Sequence, residues 1–203
     1  MKLLIGTSNP GKAAELAAYM GELGFEIVTL RDLDIASIEE TGETFEENAV
    51  LKAKAYAAAS GLPTLADDAG LEVDVLGGAP GVRTHRWLGE DATDLKLFLA
   101  ILDRMRGVPM PKRGARLKVV LALATPDGRL VTVTRAVEGK IVEEQDARPD
   151  KIMPGYPFKS LLKLDAVEKL YCDLTPEEHA AVNHRRQAIQ ALLPHLQTLA
   201  QPA

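Results

Sequence analysis

The sequence predicts an α/β fold, and three observations carry that prediction. Residues 2–7 form a short apolar run closed by the turn cluster Ser8-Asn9-Pro10-Gly11, with a helical stretch and a second apolar run behind it. Strand, helix, strand at this spacing is a βαβ unit. Two β-rich segments, 117–124 and 130–137, flank Thr125-Pro126-Asp127-Gly128, a hairpin signal. Two threonines, Thr44 and Thr175, each stand three residues before a glutamate, the spacing of a capping box at a helix start.

In chain order, residues 2–7 read as a buried strand and 12–23 as a helix, with Leu16, Tyr19, Met20 and Leu23 on one stripe and Gly24 as its stop. Residues 25–30 read as the second strand. Thr44 opens a helix rich in Ala, Leu and Lys, which Gly61 and Pro63 end. A short strand over 63–66 runs into Asp67-Asp68-Ala69-Gly70, read as the turn after the strand. Residues 77–81 form a Gly/Pro loop and 94–106 a helix. After the hairpin, Thr175 caps a last helical region with Pro176 at its first position, and Leu192, Leu193, Leu196 and Leu199 give it an apolar face. Residues 109–114 are the best candidate for a hinge.

The chain has 203 residues, 46% hydrophobic and 26% charged, enough to bury a sizeable core. Aromatics are 4%, so aliphatic side chains must fill that core. The net charge of -5 argues against a broad nucleic-acid-binding face, yet leaves room for a local nucleotide site. The single cysteine, Cys172, can form no internal disulfide, which fits a reducing cytoplasm. No apolar run is long enough for a signal peptide or a membrane span.

Four groups carry potential chemistry. Thr7, Ser8, Asn9, Pro10, Gly11 and Lys12 join a strand to a helix, where free N–H groups and a lysine would attract phosphate. The same segment alone reads equally as an ordinary βα turn. Glu39-Glu40-Thr41-Gly42 offers paired carboxylates of the kind Mg²⁺ binds, or a plain acidic loop. Asp67-Asp68 stands where α/β folds place ligands, and a cation is expected beside such a pair. Asp68 is suited to hold metal or to take a proton from water. Lys52, Arg83, Arg86, His184, Arg185 and Arg186 are the basic set, which as single residues read as solvated charge. No Cys/His pattern suggests zinc, and no nucleophile elbow suggests an acyl hydrolase.

Taken together, TSNPGK (7–12), EETGETFEENAVLKA (39–53), ADDAGLEVDVLGGAPGVRTHR (66–86), GEDATD (89–94) and NHRRQA (183–188) resemble the inosine triphosphate pyrophosphatase family, the non-standard purine NTP pyrophosphatases. The resemblance implies an elongated mixed central sheet flanked by helices, two lobes with a cleft between them, and one such domain over residues 1–203. It implies hydrolysis of dITP, ITP or XTP to the monophosphate and pyrophosphate, with Mg²⁺, by a cytoplasmic homodimer that engages neither nucleic acid nor membrane. Carried over, Thr7 to Lys12 wrap the phosphates, and Lys52 and Arg86 meet phosphate charge. Glu39 and Asp68 hold Mg²⁺, with Glu40 and Asp67 close by, and Asp68 accepts the proton of the attacking water. Gly155, Tyr156, His184 and Arg185 contact the nucleoside.

The departures fall in the base-reading half. Ala69 stands where the family has Ser. Pro154-Gly155-Tyr156-Pro157-Phe158 replaces Phe-Gly-Tyr-Asp-Pro, so an acceptor side chain is lost at Pro157. His179 stands near the family's lysine, and Asn183 replaces Ser. A relaxed or redirected base preference is therefore expected, the alternative being a nucleotide-binding protein with little turnover.

Overall fold

The computed structural model describes residues 1–21, 23–89 and 92–200, with the side chains of all of these except residues 85, 86 and 200. Strand β1 (Lys2–Ile5), helix α1 (Pro10–Gly21) and strand β2 (Glu26–Thr29) realise the βαβ unit. Helix α2 (Phe45–Ser60) follows, then β3 (Thr64–Val73), α3 (Asp94–Arg104), β4 (Gly114–Ala124), β5 (Leu130–Ile141), β6 (Leu162–Leu164), α4 (Pro176–Val182) and α5 (His184–Ala200). The six described strands form one sheet in the order β2-β1-β3-β4-β5-β6. β1 pairs in parallel with both β2 and β3, whereas β5 and β6 are antiparallel, so the sheet is mixed, as expected.

The chain divides into two compact units. The first holds Met1–Ala69, Val119–Arg135 and the chain from Arg185 onward; the second holds Gly70–Lys118 and Ala136–His184. The first has a core of Leu3, Ile5, Leu16, Met20, Leu65, Leu121 and Leu192, and a smaller cluster of Leu4, Val28, Leu30 and Tyr56. The second packs around Leu71, Leu97, Phe98, Ile101, Val137, Leu161 and Tyr171. The divisions fall within β3, β4 and β5 and after the first residue of α5, not at residues 109–114. There Arg113 is buried, and its guanidinium donates to the carbonyls of Met105, Val108, Ile141 and Val142, fixing that segment inside the second unit.

Several boundaries differ from expectation for local reasons. α1 begins at Pro10 rather than Lys12, because Asn9 caps it: its Oδ1 accepts from the amides of Gly11 (2.9 Å) and Lys12 (3.2 Å). The predicted strand over 63–66 continues to Val73, so Asp67 and Asp68 lie inside β3 and not in a turn. The capping box at Thr44 and Glu47 forms, and Gly61 ends α2 in the left-handed region at φ 67°. The box at Thr175 and Glu178 forms too, but the last helical region breaks at Asn183 into α4 and α5. On α5, Leu192 and Leu196 are buried, while Leu193 and Leu199 are half-buried.

Candidate functional site

Side chains alternate across a strand, so neighbours on β3 face opposite ways. Asp67 is fully buried; its Oδ2 lies 3.3 Å from Lys12 Nζ and accepts from Arg185 Nη2 at 3.0 Å. Asp68 is 5% exposed; its Oδ2 accepts from Asn48 Nδ2 at 3.1 Å, and Lys52 Nζ lies 3.9 Å from its Oδ1. The cation expected beside the aspartate pair is thus present on both sides.

The two carboxyls differ electrostatically. Burial pushes Asp68 up to about 6, which Lys52 opposes and Glu40 reinforces. Burial acts the same way on Asp67, but Lys12, Arg185 and Lys52 outweigh it and hold that carboxyl far below the ordinary range. Burial disfavours the charge of Lys52, yet Asp68, Asp67 and Glu40 together keep its pKa above the usual lysine value.

The acidic loop completes this group. Glu40 Oε1 lies 2.5 Å from Lys52 Nζ, so Glu40 and Asp68 meet at one ammonium. Glu39 is exposed. Among the described residues, no group of three or more His, Cys, Asp or Glu stands ready to cage a metal.

At the head of α1, the amides expected to be free are partly taken: Gly11 and Lys12 donate to Asn9, and Pro10 has none to give. Asn9 N in turn donates to Thr7 Oγ1. The groups left there that favour an anion are the charge of Lys12 and the helix dipole. Arg185, expected at the base, is 2% exposed and spends its guanidinium on Asp67 and, at 2.7 Å, on Glu15 Oε2. Ala69 is half-buried, and its amide donates to Asp68 Oδ1 at 2.9 Å.

The second unit holds the other predicted residues. Gly155, at φ 77°, donates its amide to Asp94 Oδ2 at 2.8 Å, which ties the altered loop to the first residue of α3. The ring of Tyr156 has Lys159 Nζ 4.1 Å from its centroid, and the same ammonium lies 5.3 Å from the centroid of Tyr171. Tyr171 stacks on His179 at 5.3 Å and lies tilted to His184 at 6.4 Å. The side chain of Arg86, and residues 90 and 91 of GEDATD, lie outside the described residues.

Sequence reasoning missed Asn48, Tyr56, Lys159 and Tyr171. For the first two a signal existed: with Lys52 they recur every four residues behind an acidic loop. No pattern in the sequence pointed to Lys159 or Tyr171.

Residues 3–195 match the Ham1 family. The chain belongs to that family. It is 42% identical over 193 residues to the dITP/XTP pyrophosphatase of Exiguobacterium sibiricum, covering 95% of each chain. It is 39% identical over 193 residues to the dITP/XTP pyrophosphatase of Escherichia coli, covering 95% of this chain and 96% of that one. Among solved structures, a HAM1 protein from Coxiella burnetii superposes with a TM-score of 0.84 at 30% identity, covering 98% of this chain and 99% of the other. Membership of the Ham1 family confirms the α/β fold with its mixed sheet. Among the described residues, no helix is long and apolar enough to cross a membrane.

Proposed function

We propose that this Ham1-family chain hydrolyses non-standard purine nucleoside triphosphates, dITP and XTP among them, to the monophosphate and pyrophosphate. The observation that carries the reading is β3, which buries two adjacent aspartates on opposite faces, each against its own lysine. The similarity to dITP/XTP pyrophosphatases over almost the whole chain supports it. A binding protein without turnover is not favoured, because the relatives similar over almost the whole chain are pyrophosphatases and the carboxylate and lysine set of β3 is kept.

In this reading water attacks the α-phosphorus and the bond to the pyrophosphate oxygen breaks. Asp68 accepts the water's proton and later returns it to solvent. Its burial beside Asn48 and Lys52 positions that carboxyl for the transfer. Lys52 and Lys12 neutralise phosphate charge, and Thr7 to Gly11 line its path; Arg86 is assigned to phosphate by family resemblance alone. Positioning and charge compensation of this kind are most of what phosphoryl chemistry asks of a protein. Glu39 and Asp68, with Glu40 beside them, supply the hard oxygen donors that fit Mg²⁺. When bound, Mg²⁺ screens phosphate charge and makes water more acidic.

Gly155, Tyr156 and His184 are assigned to the nucleoside, with Lys159 added beside Tyr156, whereas Arg185, expected at the base, is assigned to holding Asp67 and Glu15. The loss of an acceptor at Pro157 and of a hydroxyl at Ala69 relaxes or redirects base choice within the purine triphosphates. The 203 residues work as one two-lobed domain, as a homodimer, in the cytoplasm. Pyrophosphate release from a panel of ITP, dITP, XTP, GTP, ATP and pyrimidine triphosphates tests the activity, and a flat panel with no release would refute it.

A further inference from the structure

Helix α2 presents Asn48, Lys52 and Tyr56 four residues apart, on one stripe. Each touches the acidic loop at a different point. Tyr56 Oη accepts from the Ile38 amide at 3.1 Å, Lys52 Nζ meets Glu40 Oε1 at 2.5 Å, and Asn48 Oδ1 accepts from the Gly42 amide at 2.7 Å. The loop is thus held at every second residue by every fourth residue of the helix. The two spacings agree: four helical residues rise about 6 Å, and two residues of extended chain span about 6.6 Å.

The same stripe also faces Asp68. Asn48 uses its oxygen on the loop and its Nδ2 on Asp68 Oδ2, and Lys52 lies beside Asp68 Oδ1. Asn48 and Tyr56 are buried, at 0% and 2% exposure. Two glycines leave room for the arrangement. A Cβ on Gly42 would lie 2.7 Å from both Asn48 Oδ1 and Glu47 Cβ, and one on Gly6 would lie 2.9 Å from Tyr56 Cδ2.

We infer that Asn48 and Tyr56 are positioning residues that clamp the acidic loop so that its carboxylates are presented to the cation together with Asp68. The inference rests on the proposed function for the role of those carboxylates. Tyr56 touches no reacting group, and Asn48 touches only Asp68 among them; each acts through a group it holds. Groups of this kind are worth about 10–100-fold in metal affinity or activity.

The test uses the full chain with Tyr56→Phe, which removes one hydroxyl and keeps the ring, and Asn48→Ala. In metal-free, nucleotide-free protein, hydrogen exchange of amides 38–43 should quicken by about tenfold or more in each variant, while the far strands β4 and β5 keep their protection. With nucleotide, the Mg²⁺ concentration for half-maximal pyrophosphate release should rise by about 10-fold or more, and turnover at saturating Mg²⁺ should fall much less. Unchanged exchange at 38–43 in folded Tyr56→Phe would overturn the clamp, as would a rate loss that is the same at all Mg²⁺ concentrations. If Asn48→Ala does not fold, Tyr56→Phe decides. If the wild type releases no pyrophosphate, the functional reading falls, and the exchange measurement alone still judges the clamp.

Discussion

Asp67 and Asp68 are chain neighbours that the fold treats in opposite ways, and their substitutions should separate. Asp67 sits between Lys12 and Arg185 with its pKa lowered, so its contribution to stability is present above the ordinary aspartate value of 3.8 and is lost as pH falls through its lower folded value. Asp67→Asn leaves two buried cations facing a neutral amide and should cost about 3–5 kcal/mol at pH 7. Asp68 has its pKa raised to about 6, so its protonated form favours folding below 3.8 and that advantage disappears as pH rises through about 6. Asp68→Asn should therefore melt no lower than wild type at pH 7 in chelator, and higher by an amount on the order of 2 kcal/mol, with the gain shrinking toward pH 4. Thermal melts of both variants between pH 4 and 8 check the pair. An Asp68→Asn variant that melts well below wild type at pH 7 would contradict the electrostatic reading.

At the scale of the element, α2 does two jobs with opposite ends of its sequence logic. Its start is local: Thr44 Oγ1 accepts from Glu47 N at 3.1 Å, and Glu47 Oε2 accepts from Glu43 N and Thr44 N. Thr44→Ala should cost about 1 kcal/mol in urea unfolding, and an unchanged midpoint would remove the cap from the account. This start, its stop at Gly61, and the turn before β5 were legible because each depends on residues within a few positions. β3 was not, because Asp and Gly read as breakers until the lysines and the arginine that compensate them are in place. Those partners come from α1, α2 and α5, far away in the chain. The clamp was half legible: the period of Asn48, Lys52 and Tyr56 was in the sequence, but what it met was not.

For the whole molecule, four of the residues proposed for phosphate and metal, Lys12, Glu40, Lys52 and Asp68, belong to the first unit and pack around β3, whereas Arg86 belongs to the second. The residues proposed for the nucleoside were less legible. Gly155 and Tyr156 were found by resemblance, whereas Lys159 over the Tyr156 ring emerged only from the fold. Assembly as a homodimer should appear as twice the chain mass of 21.9 kDa in light scattering, and a monomer at micromolar concentration would refute it.

The most direct test of the central claim is pyrophosphate release with Mg²⁺ from ITP, dITP and XTP by the wild type beside Asp68→Asn. The account predicts release by the wild type and its loss by at least about 100-fold in a variant that remains folded. Undiminished release by folded Asp68→Asn would contradict the role given to the buried carboxyl of β3.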